Sequence, residues 1–153
     1  MLLRQDRVQT AIAVALDIAF HAGRGAAELV PAAEVAERLG MARRGLEPVL
    51  QALSRAGILE SVRGPRGGYR LARRPRDVTL LQVLEAVTEP AASEGAEPVL
   101  GGKLQEAVVG PLWAELDGML RERLGTLTLE DLLRRAGAAG LRRPSAAPLN
   151  FAI

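Results

Sequence analysis

The chain is 153 residues long, enough to bury a core unaided, and its 20 lysines and arginines nearly balance its 18 aspartates and glutamates. It has no cysteine, which excludes disulfides, thiolate catalysis, zinc fingers and cysteine-ligated iron–sulfur clusters. No apolar run reaches membrane-spanning length and the N-terminus lacks a cleavable signal pattern, so a soluble, cytoplasmic protein is expected.

Apolar residues at 8, 11, 12, 15, 16, 18 and 19 predict a first helix over residues 8–21 with a broad buried face, stopped by Gly23 and Gly25. His21, the one histidine, falls in its last turn, where an imidazole caps carbonyls. Pro31 suits the first turn of a second short helix with Val35, Ala36 and Leu39 inside, ended by Gly40. A third helix is predicted over 42–56, with Leu46, Val49, Leu50 and Leu53 inward, Gly57 closing it, and Pro48 fixing a bend. Two helices joined by a short glycine-containing turn make a helix-turn-helix.

Residues 58–62 and 69–72 read as two strands around Arg63-Gly64-Pro65-Arg66-Gly67-Gly68, a hairpin in which Gly67-Gly68 is expected to supply positive φ angles and Pro65 to stiffen the tip. Arg63, Arg66 and Arg70 stud this ribbon, which, just after a helix-turn-helix, has the form of a wing built to meet something negative. The surrounding charge agrees: residues 43–76 hold nine arginines against two acids (Glu47 and Glu60), whereas 90–140 hold five basic residues against eight acids. Nineteen of the twenty basic residues are arginine, the side chain suited to forked contacts with phosphates and guanine edges, and the partner expected is double-stranded DNA.

A connector over 73–77 leads to a short helix over 80–87 capped by Thr79. Residues 89–102 are rich in Ala, Glu, Gly and Pro and read as a linker. Leu104, Val108, Leu112, Leu116, Met119, Leu120, Leu124 and Leu127 then repeat at helical spacing, with a kink or a helix start expected at Gly110-Pro111. Thr128 opens a last helix through 135 with a near capping box, and the tail from 140 reads as irregular. A long apolar helix beyond a complete small domain needs cover, most simply by its own copy, which predicts a homodimer held by Leu112, Trp113, Leu116, Met119, Leu120 and Leu124. The resulting fold class is mainly α with a small β-hairpin wing. It comprises a winged helix-turn-helix domain (1–90), a cysteine-free linker (91–102), dimerisation helices (103–138) and a tail (139–153); cutting at about residue 102 is expected to leave a folded monomer.

The stretches Ala36-Glu37-Arg38-Leu39-Gly40, Leu46-Glu47-Pro48-Val49-Leu50-Gln51-Ala52-Leu53 and Val62-Arg63-Gly64-Pro65-Arg66-Gly67-Gly68-Tyr69 resemble the bacterial winged-helix regulators of IscR, NsrR and CymR type, the Rrf2 family. The resemblance continues through residues 79–87, Leu112-Trp113 and Thr128-Leu129-Glu130-Asp131-Leu132. It implies a homodimeric transcription factor, most often a repressor, with recognition helices in adjacent major grooves and wings in the minor groove. It also implies a base-reading role for Glu47, a wing role for Arg63, and positions for Arg43 and Arg44 at the start of the recognition helix. A carboxylate at Glu47 can accept from a cytosine amino group.

Three departures stand out. Many relatives hold an iron–sulfur cluster through three cysteines in the loop that is here 91–102, and some add a histidine where this chain has Gly110, so the resemblance is to cluster-free members and no cofactor is expected. A hydroxyl residue and a tyrosine that relatives carry on the recognition helix are Ala42 and Gly45 here. An Arg-aromatic pair on the first helix is replaced by Gln9-Thr10, leaving Arg4 or Arg7 to supply its phosphate contact. The reading is a sequence-specific, dimeric DNA-binding regulator with a palindromic operator and an unidentified small-molecule or protein effector. The alternative is a dimeric module that docks a metabolic enzyme and binds DNA weakly. With no nucleophile elbow, no thiol and one histidine, an enzyme is not expected.

Overall fold

The computed structural model describes residues 7–22, 28–88 and 100–144. Helix α1 (Arg7–His21) is the centre of the fold: Ala11, Val14, Ala15 and Ile18 are completely buried, and the helix packs against its neighbours on several sides. Helix α2 (Ala32–Leu39) ends at Gly40, whose φ of 62° lies in the left-handed region and whose N–H donates back to the Glu37 carbonyl at 3.1 Å. Helix α3 (Arg43–Arg55) follows after Gly40, Met41 and Ala42 and runs unbroken through Pro48. Proline removes one helical hydrogen bond and costs about 3 kcal/mol in an unaided helix. Leu46, Val49, Leu50 and Leu53 are all at most 4% exposed, and burying each is worth about 1.5–3 kcal/mol, so packing carries α3 across the proline.

The wing consists of β1 (Leu59–Val62) and β2 (Gly68–Leu71), paired antiparallel with Glu60 opposite Arg70. Val30 adds a single-residue third strand: its N–H donates to the Tyr69 carbonyl at 2.8 Å and the Tyr69 N–H donates to its carbonyl at 2.9 Å. The hairpin glycines act differently from the sequence expectation. The positive φ belongs to Gly64, at 118°, not to Gly67 or Gly68. Those two are glycines because the backbone comes too close for a side chain: a Cβ on Gly67 would lie 2.3 Å from the Val62 carbonyl oxygen, and one on Gly68 would lie 2.7 Å from that of Val30.

A 3-10 turn (Pro75–Asp77) leads into α4 (Leu80–Thr88), whose first turn is closed reciprocally: the Gln82 N–H donates to Thr79 Oγ1 at 3.2 Å and the Thr79 N–H to Gln82 Oε1 at 3.1 Å. The long helix α5 (Gly110–Thr126) is preceded by a π-helical turn (Gln105–Val109). There the Gly110 N–H reaches the Gln105 carbonyl, and the wider turn makes room for the Pro111 ring, which would otherwise press on the preceding turn. Helix α6 (Leu129–Ala138) runs three residues beyond the expected end and starts from a capping box between Thr128 and Asp131. The starts of α4 and α6 are laced together, the Leu80 N–H donating to the Leu127 carbonyl at 2.8 Å and the Leu129 N–H to the Val78 carbonyl at 3.0 Å.

This lacing joins the last two helices to the winged domain. Leu124 and Leu129 are 9% and 0% exposed and belong to the same core cluster as residues of α1, α3 and α4, so α5 and α6 each contribute a side chain to that core. Cutting at residue 102 would lay that core open. Arg143 reaches back to α1, donating to the Ala19 carbonyl at 2.8 Å; the expected tail beyond residue 144, the linker over 89–99 and the Gly23/Gly25 stop lie outside the described residues.

Candidate nucleic-acid interface

The outward face of α3 and the inner edge of the wing enclose an open groove of about 730 Å³. Arg43, Glu47, Gln51 and Arg55 line it from α3, and Ser61, Arg63 and Gly64 line it from the wing. Arg43, Glu47 and Arg63, expected from the sequence as DNA contacts, are therefore brought together. Gln51 and Arg55 were not foreseen, although a stripe at four-residue spacing from Arg43 leads to both. The other expected residues lie apart. Arg44 is exposed on α3 outside the groove, Arg66 lines a cleft on the wing's far flank with Glu34, Arg38 and His21, and Arg7 lines a smaller cleft beside Gly45 and Pro48.

Ion pairing sorts the arginines. Arg70 is held across the wing by Glu60 at 2.9 Å, which raises its pKa and lowers that of Glu60, and Arg74 is held by Asp77 at 2.7 Å. Arg73 leans on the carbonyls of Gly57 and Asp77. Arg43, Arg44, Arg55, Arg63 and Arg66 make no hydrogen bond or ion pair among the described residues. Arg70 thus braces the ribbon that presents Arg63.

The start of α3 breaks the usual rules of helix ends. Its N-cap, Ala42, makes no side-chain cap, and its first turn has no acid but two arginines beside the positive end of the helix dipole. An alanine in place of a capping side chain costs about 1 kcal/mol, and the arrangement sets a helix start with no side-chain cap beside two arginines, the kind of environment a phosphate occupies at helix N-termini. Behind it α2 is locked to α1. Arg38 grips nearly buried Asp17 through Nε at 3.0 Å and a terminal nitrogen at 2.8 Å, and this hydrogen bond raises the Arg38 pKa against the opposing effect of burial. His21 Nδ1 lies 2.9 Å from the Asp17 carbonyl, the helix-capping contact expected of it.

The apolar residues of α5 divide between core and surface. Leu120 and Leu124, expected on a dimer face, turn to the chain's own core, and Leu116 is half-buried. Leu112, Trp113 and Met119 stay exposed, together with Leu104 and Val108 on the preceding turn.

The sequence model of the Rrf2 family, described as "Iron-dependent Transcriptional regulator", matches residues 5–135. The chain belongs to the Rrf2 family. It is 34% identical over 126 residues to the HTH-type transcriptional regulator IscR of Aliivibrio salmonicida, covering 80% of this chain and 72% of that one. It is 32% identical over 134 residues to the putative HTH-type transcriptional regulator ORF2 of Azotobacter vinelandii, covering 87% and 80%. Among solved structures, T. potens IscR superposes with a TM-score of 0.70 at 29% identity, covering 90% of each chain. B. subtilis CymR does so with 0.68 at 22% identity, covering 88% and 98%, a likeness of fold. This Rrf2 member is a winged-helix, DNA-binding transcriptional regulator.

An iron centre does not fit the residues it carries. There is no cysteine in the chain, its one histidine is engaged with the Asp17 carbonyl, and no group of three His, Cys, Asp or Glu among the described residues could hold a metal. No helix among the described residues is long and apolar enough to cross a membrane.

Proposed function

We propose that this Rrf2 regulator binds a palindromic operator as a homodimer and acts as a repressor, α3 entering the major groove and Arg63 at the wing contacting the neighbouring minor groove. The observation that carries the reading is the convergence of unpaired Arg43, Glu47 and Arg63 on one groove, beside arginines of the same segment that are tied up internally. Arg44, Arg66 and Arg7 supply flanking phosphate contacts. The dimer contact is the exposed apolar strip of Leu104, Val108, Leu112, Trp113 and Met119; Trp113 and Met119 are 59% and 61% exposed, an apolar surface that a second copy of α5 would cover. Two-fold symmetry then spaces the half-sites by about 10–10.5 bp or a multiple.

The test is operator affinity against salt for the chain and for Arg63→Ala/Arg66→Ala. In a dimer this removes four cationic contacts, two per protomer, and makes the slope of log K on log salt shallower by up to about 3.6, with a large fall in affinity. An unchanged affinity and slope would overturn the assignment of the wing and favour a protein-docking dimer.

A further inference from the structure

Beside its charged residues, the groove between α3 and the wing is lined by four uncharged polar side chains, Gln51, Ser54, Ser61 and Tyr69, of which Gln51 alone carries an amide. Gln51 is exposed, lines the groove one helical turn beyond Glu47, and makes no hydrogen bond among the described residues. A helix lying in the major groove offers bases the residues at i, i+3, i+4 and i+7. The stripe that lines this groove runs from Arg43 at four-residue spacing through Glu47 and Gln51. Pro48 has neither side-chain donor nor acceptor, and Ala42 and Gly45 add none at the helix start. Base-reading chemistry on this helix therefore comes from few positions, and beyond Glu47 the next is Gln51. Arg55, a further turn along, is a cation suited to the phosphate at the groove's end.

A glutamine amide has a donor and an acceptor side by side, matching the N6 and N7 edge of adenine. Four residues of helix advance about 6 Å, and base pairs are about 3.4 Å apart, so Glu47 and Gln51 address positions about two base pairs apart. Resting on the DNA-binding reading above, we propose that Gln51 is a specificity-determining residue that selects an A·T pair about two base pairs from the one Glu47 meets.

The experiment is selection from a randomised duplex library at near-physiological salt with the full-length chain, Gln51→Ala and Gln51→Glu, with thermal melts confirming that these exposed substitutions leave the fold intact. The expected result is an A·T preference in the parent profile that disappears in Gln51→Ala at that position alone. Affinity for the parent site should fall roughly 5- to 150-fold, the range for one bidentate base contact. Gln51→Glu should shift the same position toward C·G, because a carboxylate accepts from the cytosine amino group. A Gln51→Ala profile unchanged at every position, or weakened equally at all of them, would overturn the inference while leaving the DNA-binding reading in place. If the parent itself enriched no site, both would fall.

Discussion

Replacing Gly68 by alanine tests how firmly the wing is seated. A Cβ there would lie 2.7 Å from the Val30 carbonyl oxygen, 2.8 Å from its carbon and 3.1 Å from the Pro31 nitrogen, all backbone atoms with no freedom to swing aside. Restoring an ordinary contact requires β2 to move about 0.7 Å away from Val30, given 3.4 Å as the start of normal packing. That displacement lengthens both hydrogen bonds joining Val30 to Tyr69, 2.8 and 2.9 Å long, each worth about 0.5–1.5 kcal/mol. With residual overpacking of about 1 kcal/mol, the expected loss is about 2–4 kcal/mol, a Tm lower by about 5–15 °C for a chain of this size. Because Val30 leads through Pro31 into α2, the same movement separates the wing from the helix-turn-helix and shifts Arg63 relative to Arg43 and Glu47. Circular-dichroism melts should show the fall in Tm, and fluorescence anisotropy should show weaker operator binding even well below the new Tm. A Gly68→Ala variant that melts and binds like the parent would refute the claim that close backbone approach dictates this glycine.

Two further outcomes follow from other parts of the molecule. Trp113→Asp/Met119→Asp places charge on the exposed face of α5 while leaving Leu124 and the core untouched; sedimentation velocity should report a monomer with an unchanged far-ultraviolet spectrum, and persistence of a dimer would remove α5 from the interface. Asp131 is held below the ordinary carboxylate range, chiefly by the Thr128 N–H and then by its hydroxyl. A depressed folded-state value means that its contribution is present above the unfolded carboxylate value, about pH 4, and is lost as pH falls through the lower folded value. The Tm difference between the parent and Asp131→Asn should therefore be fully developed at pH 6 and shrink toward pH 2–3; a pH-independent difference would contradict the ion's role in the cap.

Much of this fold is written in the spacing of apolar residues. Leu46, Val49, Leu50 and Leu53 define α3 because a buried face at helical period leaves no competing assignment, and Thr79 and Thr128 mark helix starts through the chemistry of their hydroxyls. Other features have no such signature. A lone strand residue such as Val30 shows no alternation, and its pairing with Tyr69 depends on folding across the chain. Glycine appears in sequence both where φ is positive and where space is short, so Gly64 could not be told from Gly67 and Gly68 before the backbone was placed. In α5 apolar residues occur on more than one side, and only packing reveals that Leu124 serves the core while Trp113 does not. At the interface, Arg43, Glu47 and Arg63 were legible by type and position. The engagement of Arg70 depends on strand register, and Gln51 emerges only when the stripe on α3 is carried past its charged members.

Helix α5 gives Leu120 and Leu124 to the core and leaves Leu112, Trp113 and Met119 bare. In the proposed dimer the same rigid rod that joins two copies is also bolted to the winged domain, through the lacing of α4 to α6. The pair then behaves as a caliper with a set gap, whose reading heads cannot slide along the duplex independently. Such a regulator would tolerate changes in base sequence between its half-sites far better than the insertion or deletion of a single base pair there.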